Sequence, residues 1–332
     1  MQSLIKISVI IPTHNRPELV KRAIASVYAQ DIDQTSTIQT STIVEVIVVI
    51  NGNDVVTRSA LELVNTSLNY SNLKILQIPE SGPSHARNVG VQNALGEWIA
   101  FLDDDDEWLP KKLRLQYEAA IVSTASNPVI ASKLTARTPK GDFDRPRRFP
   151  KPGEDLSDYL LGRTGFFQGE GLIQTSVIFT TRRLLLEVPF SLIPKHEDWE
   201  WVLRVAKRSD VTIEFVPDVL AIWYLEENRI SLSTKHNYQG SLDWITRNRN
   251  LVTPAAYAAF ILVEVGSQAA QQQQWKLFPK LLKLALTQGK PNAIVLLLYL
   301  AMWLLPLELR RKVRAILTRK KYQLPPNSRS KV

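Results

Sequence analysis

Four consecutive aspartates, residues 103–106, give this sequence a dense run of potential metal ligands. They follow Trp98–Leu102, a short apolar run typical of a buried strand. A helix start would account for one or two of these acids, because carboxylates stabilise helix N-termini. Like charges about 4 Å apart repel by roughly 4 kcal/mol at an effective dielectric constant of 20. A divalent cation shared with substrate phosphate oxygens would relieve that repulsion, so the cluster favours a metal–phosphate site over structural capping.

A second acidic cluster lies in the segment HEDWEW, residues 196–201, where a helix is predicted to begin. Glu200 and Arg204 are spaced in the order that stabilises a helix, which predicts a surface ion pair. Glu197 and Asp198 fall in the first helical turn. Asp198 has two interpretations: it is the N-cap of the helix, or it is a general base whose pKa is raised between two tryptophan rings.

The elements that would position these clusters alternate between strand and helix over the first hundred residues. Short β-branched runs predict strands that are buried on both faces. Strands joined by helical crossovers form a parallel, doubly wound sheet, which binds ligands at the carboxyl ends of its strands. The predicted strands are Lys6–Ile11, Val44–Ile50, Leu73–Ile78 and Trp98–Leu102, and the predicted helices are Pro17–Gln30 and Ser84–Leu95.

Several common enzyme classes are disfavoured because their motifs are missing. The first strand is followed by Pro12-Thr13-His14-Asn15-Arg16 in place of a glycine-rich loop, and no GxxxxGK[ST] motif occurs. Residues 82–86, GPSHA, lack the second glycine of a GxSxG elbow, and Ser84 is predicted to cap a helix instead. The chain has no cysteine, and its four histidines are far apart, which disfavours thiol chemistry and a zinc site.

Three segments of the chain resemble the family 2 nucleotide-sugar glycosyltransferases, which have the GT-A fold. They are ISVIIPTHNR, GPSHARNVGVQNALGEWIAFLDDDDEW and HEDWEW, and the likeness covers roughly residues 5–235. It implies an α/β fold with a doubly wound, mostly parallel sheet flanked by helices and a C-terminal helical extension. The implied organisation is a nucleotide-sugar-binding half at 1–110, an acceptor-binding half of the same catalytic domain at 111–245, and a basic helical extension at 246–332.

The resemblance also assigns the metal site and the general base. Its DxD motif, which binds the divalent cation on the nucleotide diphosphate, falls on Asp103 and Asp105, with Asp106 beside them. The aspartate of its ED pair, the proposed base, falls on Asp198, and Glu197 precedes it. The implied cofactor is Mn²⁺ or Mg²⁺.

The donor contacts implied by the resemblance surround the carboxyl ends of the first strands. One departure is clear: where the family usually has VDDGS, this chain has Ile50-Asn51-Gly52-Asn53-Asp54, so Asn51 offers an amide instead of an anionic acceptor to the base. The implied nucleotide-sugar contacts are Pro12, Thr13, Asn15, Arg16, Asn51, Asp54, Arg87, Asn88, Asp103 and Asp104.

The expected function is therefore that of an inverting, divalent-metal-dependent glycosyltransferase. It would move a sugar from a nucleoside-diphosphate sugar to a hydroxyl on a glycan or lipid-linked acceptor, in cell-surface polysaccharide or glycolipid synthesis. The alternative is a non-catalytic nucleotide-sugar or glycan-binding protein on the same fold. A nucleotidyltransferase is disfavoured, because such enzymes carry a glycine-rich, basic loop after the first strand and Pro12–Arg16 has no glycine.

The net charge of +9 comes from the C-terminal end. Residues 275–332 hold thirteen Lys or Arg against one acid, Glu308, and these cations flank an apolar run, which disfavours nucleic-acid binding. The run Ala293–Leu309 is interrupted by Pro306 and is short of the roughly twenty residues that span a bilayer. Three interpretations stay open: a helix packed on the catalytic domain, a peripheral membrane contact, or a spanning helix. The expected location is cytoplasmic, with peripheral contact to the cytoplasmic face of the membrane under the second interpretation.

Overall fold

The computed structural model describes residues 6–32, 43–68, 72–166, 169–225, 237–305 and 309. Its strands are β1 (Lys6–Thr13), β2 (Ile43–Asn51), β3 (Leu73–Ile78), β4 (Trp98–Phe101), β5 (Glu107–Trp108), β6 (Val129–Arg137), β7 (Phe143–Arg145), β8 (Phe179–Thr181) and β9 (Ile213–Tyr224). They form one sheet in the order β3-β2-β1-β4-β8-β6-β9-β5, and β7 pairs with β6.

The helices fall into two compact units of the chain. One unit comprises residues 1–160 and 170–235, and the other comprises residues 161–169 and 236–332. A π-helical turn, Phe260–Val265, joins two short helices of the second unit. The α-helices are α1 (Pro17–Tyr28), α2 (Val55–Leu68), α3 (Pro83–Asn93), α4 (Lys112–Val122), α5 (Leu156–Leu161), α6 (Arg182–Glu187), α7 (Glu197–Val205), α8 (Tyr238–Arg247), α9 (Pro254–Ala259), α10 (Gly266–Gln271), α11 (Leu277–Gln288) and α12 (Ala293–Leu304).

The first half of the sheet is parallel. β1 pairs in parallel with β2 on one side and β4 on the other, and β2 pairs in parallel with β3. The apolar residues Ile7, Val9, Ile10 and Ile11 of β1 and Val46–Ile50 of β2 are buried, as expected for strands covered by helices on both faces. Parallel pairing brings the carboxyl ends of the strands to one edge, so the segments after Thr13, Asn51 and Phe101 are neighbours.

The second half of the sheet is mixed and adds two more segments at the end of β4. β8 runs antiparallel to β4, with Ala100 opposite Phe179, so the short 3₁₀ turn Thr175–Val177 that precedes β8 lies beyond the end of β4. β5 pairs with β9, with Glu107 opposite Ile222. The acidic turn between β4 and β5 is therefore fixed at both ends by sheet pairing.

Helix α3 lies close against β1. A Cβ atom at Gly90 would lie 2.5 Å from the Ile10 side chain, so only glycine permits this approach. The helix begins at Pro83, after Gly82 with a positive φ of 90°, and the buried Ser84 lies inside its first turn. The prediction that Ser84 caps this helix is wrong, because Pro83 already occupies the first helical position.

The predicted strands and helices otherwise agree closely with the observed elements. The C-terminal helical extension predicted at 246–332 is helical in its described part, as α9 to α12, while the basic segment 310–332 lies outside the described residues. The predicted boundary at residue 110, inside the first unit, stays a prediction.

Candidate active site

The loop after β1 contacts the acidic turn after β4. Thr13 Oγ1 donates a 2.8 Å hydrogen bond to Asp104 Oδ2. Arg16 Nη1 lies 3.0 Å from Asp104 Oδ1 and 2.7 Å from Asp105 Oδ2. Pro12 is buried within β1 beside this contact. Residues from the two ends of the predicted donor site, almost ninety positions apart in sequence, therefore meet in the fold.

The innermost carboxylate of the turn is Asp106, which is fully buried. Its Oδ2 accepts hydrogen bonds from Ser176 Oγ at 2.7 Å and from Gln174 Nε2 at 2.8 Å. Its Oδ1 finds no hydrogen-bond partner within the described part of the chain. Burial, reinforced by the neighbouring charge of Asp103, raises the pKa of Asp106 to about 7.

Arg87 joins the two acidic clusters. It projects from α3 and is only 4% exposed. Its Nη2 lies 2.6 Å from Asp103 Oδ1, and its Nη1 lies 3.3 Å from Glu197 Oε1. Burial alone would lower the pKa of this guanidinium, but Asp103 and Glu197 raise it, so Arg87 stays charged. The strand-end aspartates and the start of α7 thus belong to one site.

The surroundings of Asp198 disfavour its ionised form. Burial, followed by the charge of Glu197, raises the pKa of Asp198 to about 7. The tryptophan rings contact other residues: Trp199 stacks on His196, and Trp201 stacks on Phe190. The cap position of α7 is His196, so the N-cap interpretation of Asp198 is wrong.

Two residues at the site hold a left-handed backbone without being glycine. Asn15, in the loop after β1, has φ 54°, and His196, at the start of α7, has φ 68°. Such conformations cost free energy and cluster at functional sites. Asp54 stabilises the Asn15 conformation, because its Oδ2 accepts a 2.6 Å hydrogen bond from the backbone N–H of Asn15.

The side-chain oxygens of Asp54 and Asn51 accept hydrogen bonds from backbone N–H groups of the loops at the carboxyl edge of the sheet. Asp54 Oδ1 also accepts from the Thr57 amide at the start of α2. Burial would raise the pKa of Asp54, but hydrogen bonds from Thr57 and Asn15 lower it overall. Asn51 Oδ1 accepts from the amides of Ser81 and Gly82, at 2.8 and 3.2 Å, which fixes the entry to α3.

Four further residues of the site were not found from the sequence. Gln174 and Ser176 bind Asp106, and their polar side chains inside an otherwise apolar segment were the available signal. Arg22 Nη2 donates a 2.8 Å hydrogen bond to the backbone oxygen of Asp105, and its position on a helix face gave no signal. Phe190 bonds through its backbone to both polar atoms of the Asn88 side chain, a contact between distant segments.

The site carries an excess of acid. Residues 103–106, 197 and 198 contribute six carboxyl groups to a network in which Arg16 and Arg87 pair with carboxylates and Arg22 binds the Asp105 carbonyl oxygen. In the described part of the chain, no group of three or more His, Cys, Asp or Glu side chains is arranged to hold a metal ion by itself. One or two carboxylates with substrate phosphate oxygens are the usual ligands of Mg²⁺, so this donor set fits an ion shared with a diphosphate.

The sequence model of glycosyl transferase family 2 matches residues 8–173, which is half of the chain and includes the acidic turn. The chain belongs to this family. The match confirms the family resemblance that the three sequence segments indicated.

Two relatives show which part of the chain is similar to known glycosyltransferases and by how much. The chain is 36% identical over 111 residues to an uncharacterised glycosyltransferase of Rickettsia conorii, and 31% identical over 140 residues to the poly(ribitol-phosphate) beta-N-acetylglucosaminyltransferase TarS of Staphylococcus aureus. These matches cover 33% and 42% of this chain but only 16% and 22% of those proteins. The chain therefore spans less than a quarter of these relatives.

The fold of this family 2 chain is also similar to a solved structure. The crystal structure of TarS residues 1–349 in complex with UDP-GlcNAc superposes with a TM-score of 0.50 at 19% identity, and the match covers 93% of this chain and 92% of that one. This likeness confirms the predicted fold class.

Proposed function

We propose that this protein is an inverting, divalent-metal-dependent glycosyltransferase that uses a nucleoside-diphosphate sugar and a hydroxyl acceptor. The observation that carries the proposal is the bridge made by Arg87 between Asp103 and Glu197. Asp198 follows Glu197 directly, so this bridge supports a single site in which the carboxylates after β4 would bind the cation and diphosphate and Asp198 would deprotonate the acceptor.

Asp103 and Asp105 would hold the cation, with Asp106 beside them. Their oxygen donors suit Mn²⁺ or Mg²⁺, and Asp106 Oδ1, which has no hydrogen-bond partner among the described residues, supports a cationic partner at this turn. When bound, the ion supplies neutralising charge to the diphosphate leaving group. Arg16, held against Asp104 and Asp105, adds a second positive charge beside the diphosphate.

Asp198 would act as the general base. It takes the proton of the acceptor hydroxyl while that oxygen bonds to the anomeric carbon and the bond from this carbon to the diphosphate oxygen breaks. In-line attack from the opposite face inverts the anomeric configuration. A pKa near 7 suits this task, because proton transfer is most effective when the pKa of the base is close to the working pH.

The remaining predicted contacts would bind the donor. Thr13, Asn15, Arg16 and Asp104 lie around the contact between the loop after β1 and the acidic turn. Asn51 and Asp54 hold the backbone of this edge, so we propose that they act on the nucleotide mainly by shaping its loop.

The test is sugar transfer by the Asp198→Asn variant with a confirmed donor and acceptor. Transfer should fall by about 10²- to 10⁴-fold, the usual contribution of a general base, while donor affinity stays within about twofold. Asp243→Asn is the matched control, because it makes the same chemical change at a carboxylate on α8 that accepts a hydrogen bond from Gln239. This variant should keep full activity. Near-normal turnover in Asp198→Asn would remove this residue from the role.

A non-catalytic nucleotide-sugar or glycan-binding protein is the alternative. Metal-dependent hydrolysis of a panel of nucleotide sugars, measured without an acceptor, separates the two functions. Slow release of nucleoside diphosphate that stops on chelation supports the enzyme, whereas binding without any release supports the alternative.

We propose further that the acceptor is a polysaccharide or a glycolipid, and that the C-terminal end contacts an anionic membrane surface. Helix α12 supports the contact: Val295, Tyr299 and Trp303 are buried along one face, while Leu297 and Leu304 are 52% and 64% exposed on another. Basic residues at 310–321 follow in sequence. Each cation near an anionic leaflet contributes about 1 kcal/mol. Among the described residues, none of the helices has the length and apolar character needed to cross a bilayer.

A further inference from the structure

Besides the ion pair of Arg87 with Glu197, helix α3 binds the backbone of Phe190, in the segment that precedes α7. Asn88 Nδ2 donates a 2.8 Å hydrogen bond to the Phe190 carbonyl oxygen, and Asn88 Oδ1 accepts a 3.0 Å hydrogen bond from the Phe190 amide. This pairing uses both polar atoms of the Asn88 side chain. The Asn88 side chain thus pairs with the N–H and C=O of Phe190 as a backbone residue of a neighbouring strand would.

Phe190 is also a packing point between the two acidic clusters. Its buried ring stacks on Trp201 of α7, with centroids 5.2 Å apart, and meets Phe101 of β4 edge-on at 5.3 Å. Phe101 ends the strand that leads to Asp103, and Trp201 lies one helical turn after Asp198. One ring thus packs on both elements that carry the proposed catalytic carboxylates.

The residues on either side of Phe190 are bonded to α7. Trp201 Nε1 donates to the Val188 carbonyl oxygen at 2.7 Å. Arg204 Nη1 donates to Pro189 O at 3.2 Å and to Ser191 Oγ at 2.9 Å. The segment 188–191 is therefore hydrogen-bonded to α7, and Asn88 hydrogen-bonds it to α3.

We infer that Asn88 and Phe190 are positioning residues that set the distance between the proposed base Asp198 and the carboxylates after β4. This inference rests on the proposed function, and it changes the role of Asn88 from a donor contact to a support of the base. Removing the Asn88 amide breaks the paired hydrogen bonds between segment 188–191 and α3, while Arg87 keeps its ion pairs and its position over the Phe190 ring. A displacement of about 1 Å at a reacting group can cost on the order of 10²-fold in rate.

The experiment compares wild type, Asn88→Ala and the matched control Asn93→Ala. Asn93 lies on the same helix, and its Nδ2 donates only within that helix, to Val89 O at 2.9 Å. In Asn88→Ala, kcat should fall by about 10- to 100-fold, while the donor KM and the affinity for the nucleoside diphosphate stay within about twofold. Asn93→Ala should match wild type in all three quantities.

Amide hydrogen exchange tests the hydrogen bond between Asn88 and Phe190 without any measurement of activity. The Phe190 amide loses its acceptor in Asn88→Ala, so its exchange should become faster, and Asn93→Ala should leave it unchanged. Phe190→Leu keeps the backbone pairing but loses the ring contacts, so it should lower kcat with retained donor affinity even if Asn88→Ala does not fold.

The outcomes separate the two proposals. A parallel loss of nucleotide affinity and kcat in Asn88→Ala, or unchanged Phe190 exchange, would overturn the positioning role. Wild-type protein that transfers no sugar from any nucleotide sugar would overturn the proposed function and the catalytic consequence of the attachment together. Faster exchange at Phe190 would still show that Asn88 holds this segment.

Discussion

The Asp198→Asn substitution should stabilise the metal-free protein at pH 8 while it removes activity. Burial and the charge of Glu197 raise the pKa of Asp198 from the usual 3.8 to about 7, so the folded state disfavours the ionised carboxylate. Asparagine carries no charge and retains the oxygen that accepts a 2.8 Å hydrogen bond from the Trp199 amide. The gain in stability is therefore electrostatic.

The magnitude follows from the difference in pKa between the folded and unfolded states. Below pH 3.8 the Asp198 carboxyl is protonated in both states and costs nothing. Between that pH and about 7 only the unfolded state ionises, so rising pH lowers the stability of the wild type. Each pH unit is worth about 1.4 kcal/mol, so the substitution should gain at most about 4 kcal/mol at pH 8 and less than about 2 kcal/mol at pH 5.

Urea unfolding followed by tryptophan fluorescence, in EDTA at pH 8 and pH 5, measures this difference. Glu200→Gln on the same helix is the control of opposite sign, because Glu200 accepts a hydrogen bond from Ser191 and pairs with Arg204 at 3.6 Å. That variant should lose about 1 kcal/mol at pH 8. The reasoning fails if Asp198→Asn is no more stable than wild type at pH 8, or if its gain is the same at both pH values.

Four other measurements check the rest of the site and the C-terminal end. Chelation should abolish transfer and Mn²⁺ or Mg²⁺ should restore it; full activity after exhaustive chelation contradicts the metal assignment. Asp54→Ala should lose about 1–2 kcal/mol in urea unfolding at pH 7 and less at pH 3, since the lowered pKa of Asp54 makes its contribution disappear on acidification. Arg87→Met should lose about 3–5 kcal/mol, because it leaves Asp103 and Glu197 without their buried partner; a smaller loss shows the bridge to be dispensable. A Leu297→Glu, Leu304→Glu double variant should sediment less with anionic liposomes than wild type, and equal sedimentation contradicts contact through α12.

The elements of the sheet could be predicted well from local pattern. The strand Leu73–Ile78 has the predicted bounds, and the strand predicted at Trp98–Leu102 ends one residue earlier, at Phe101. Strands and helices of this kind can be predicted because their β-branched or regularly spaced apolar residues form a pattern within a short stretch of sequence. The start of α3 was misplaced by one residue, because the turn at Gly82 and the proline after it set the helix start and the serine does not.

The candidate site was predictable as a set of residues but not as a geometry. The motifs identified the two acidic clusters because carboxylates at strand and helix ends are a local feature. The sequence did not indicate that Gln174 and Ser176 bind Asp106, or that Asn88 binds the backbone of Phe190. These partners are separated by about seventy to a hundred residues, and the alternation of strand and helix does not specify which loops touch.

The sequence by itself determined the strands, the family and the residue types available for chemistry, because hydrophobic period, motif order and side-chain identity are properties of short segments. The tertiary structure alone decided which carboxylates pair with Arg16 and Arg87 and how deeply each is buried. Those two quantities set the pKa values of Asp54, Asp106 and Asp198, which are chemically identical side chains that the fold places in different surroundings. A charge responds to everything within several ångströms in space, and most of that surrounding comes from distant parts of the chain.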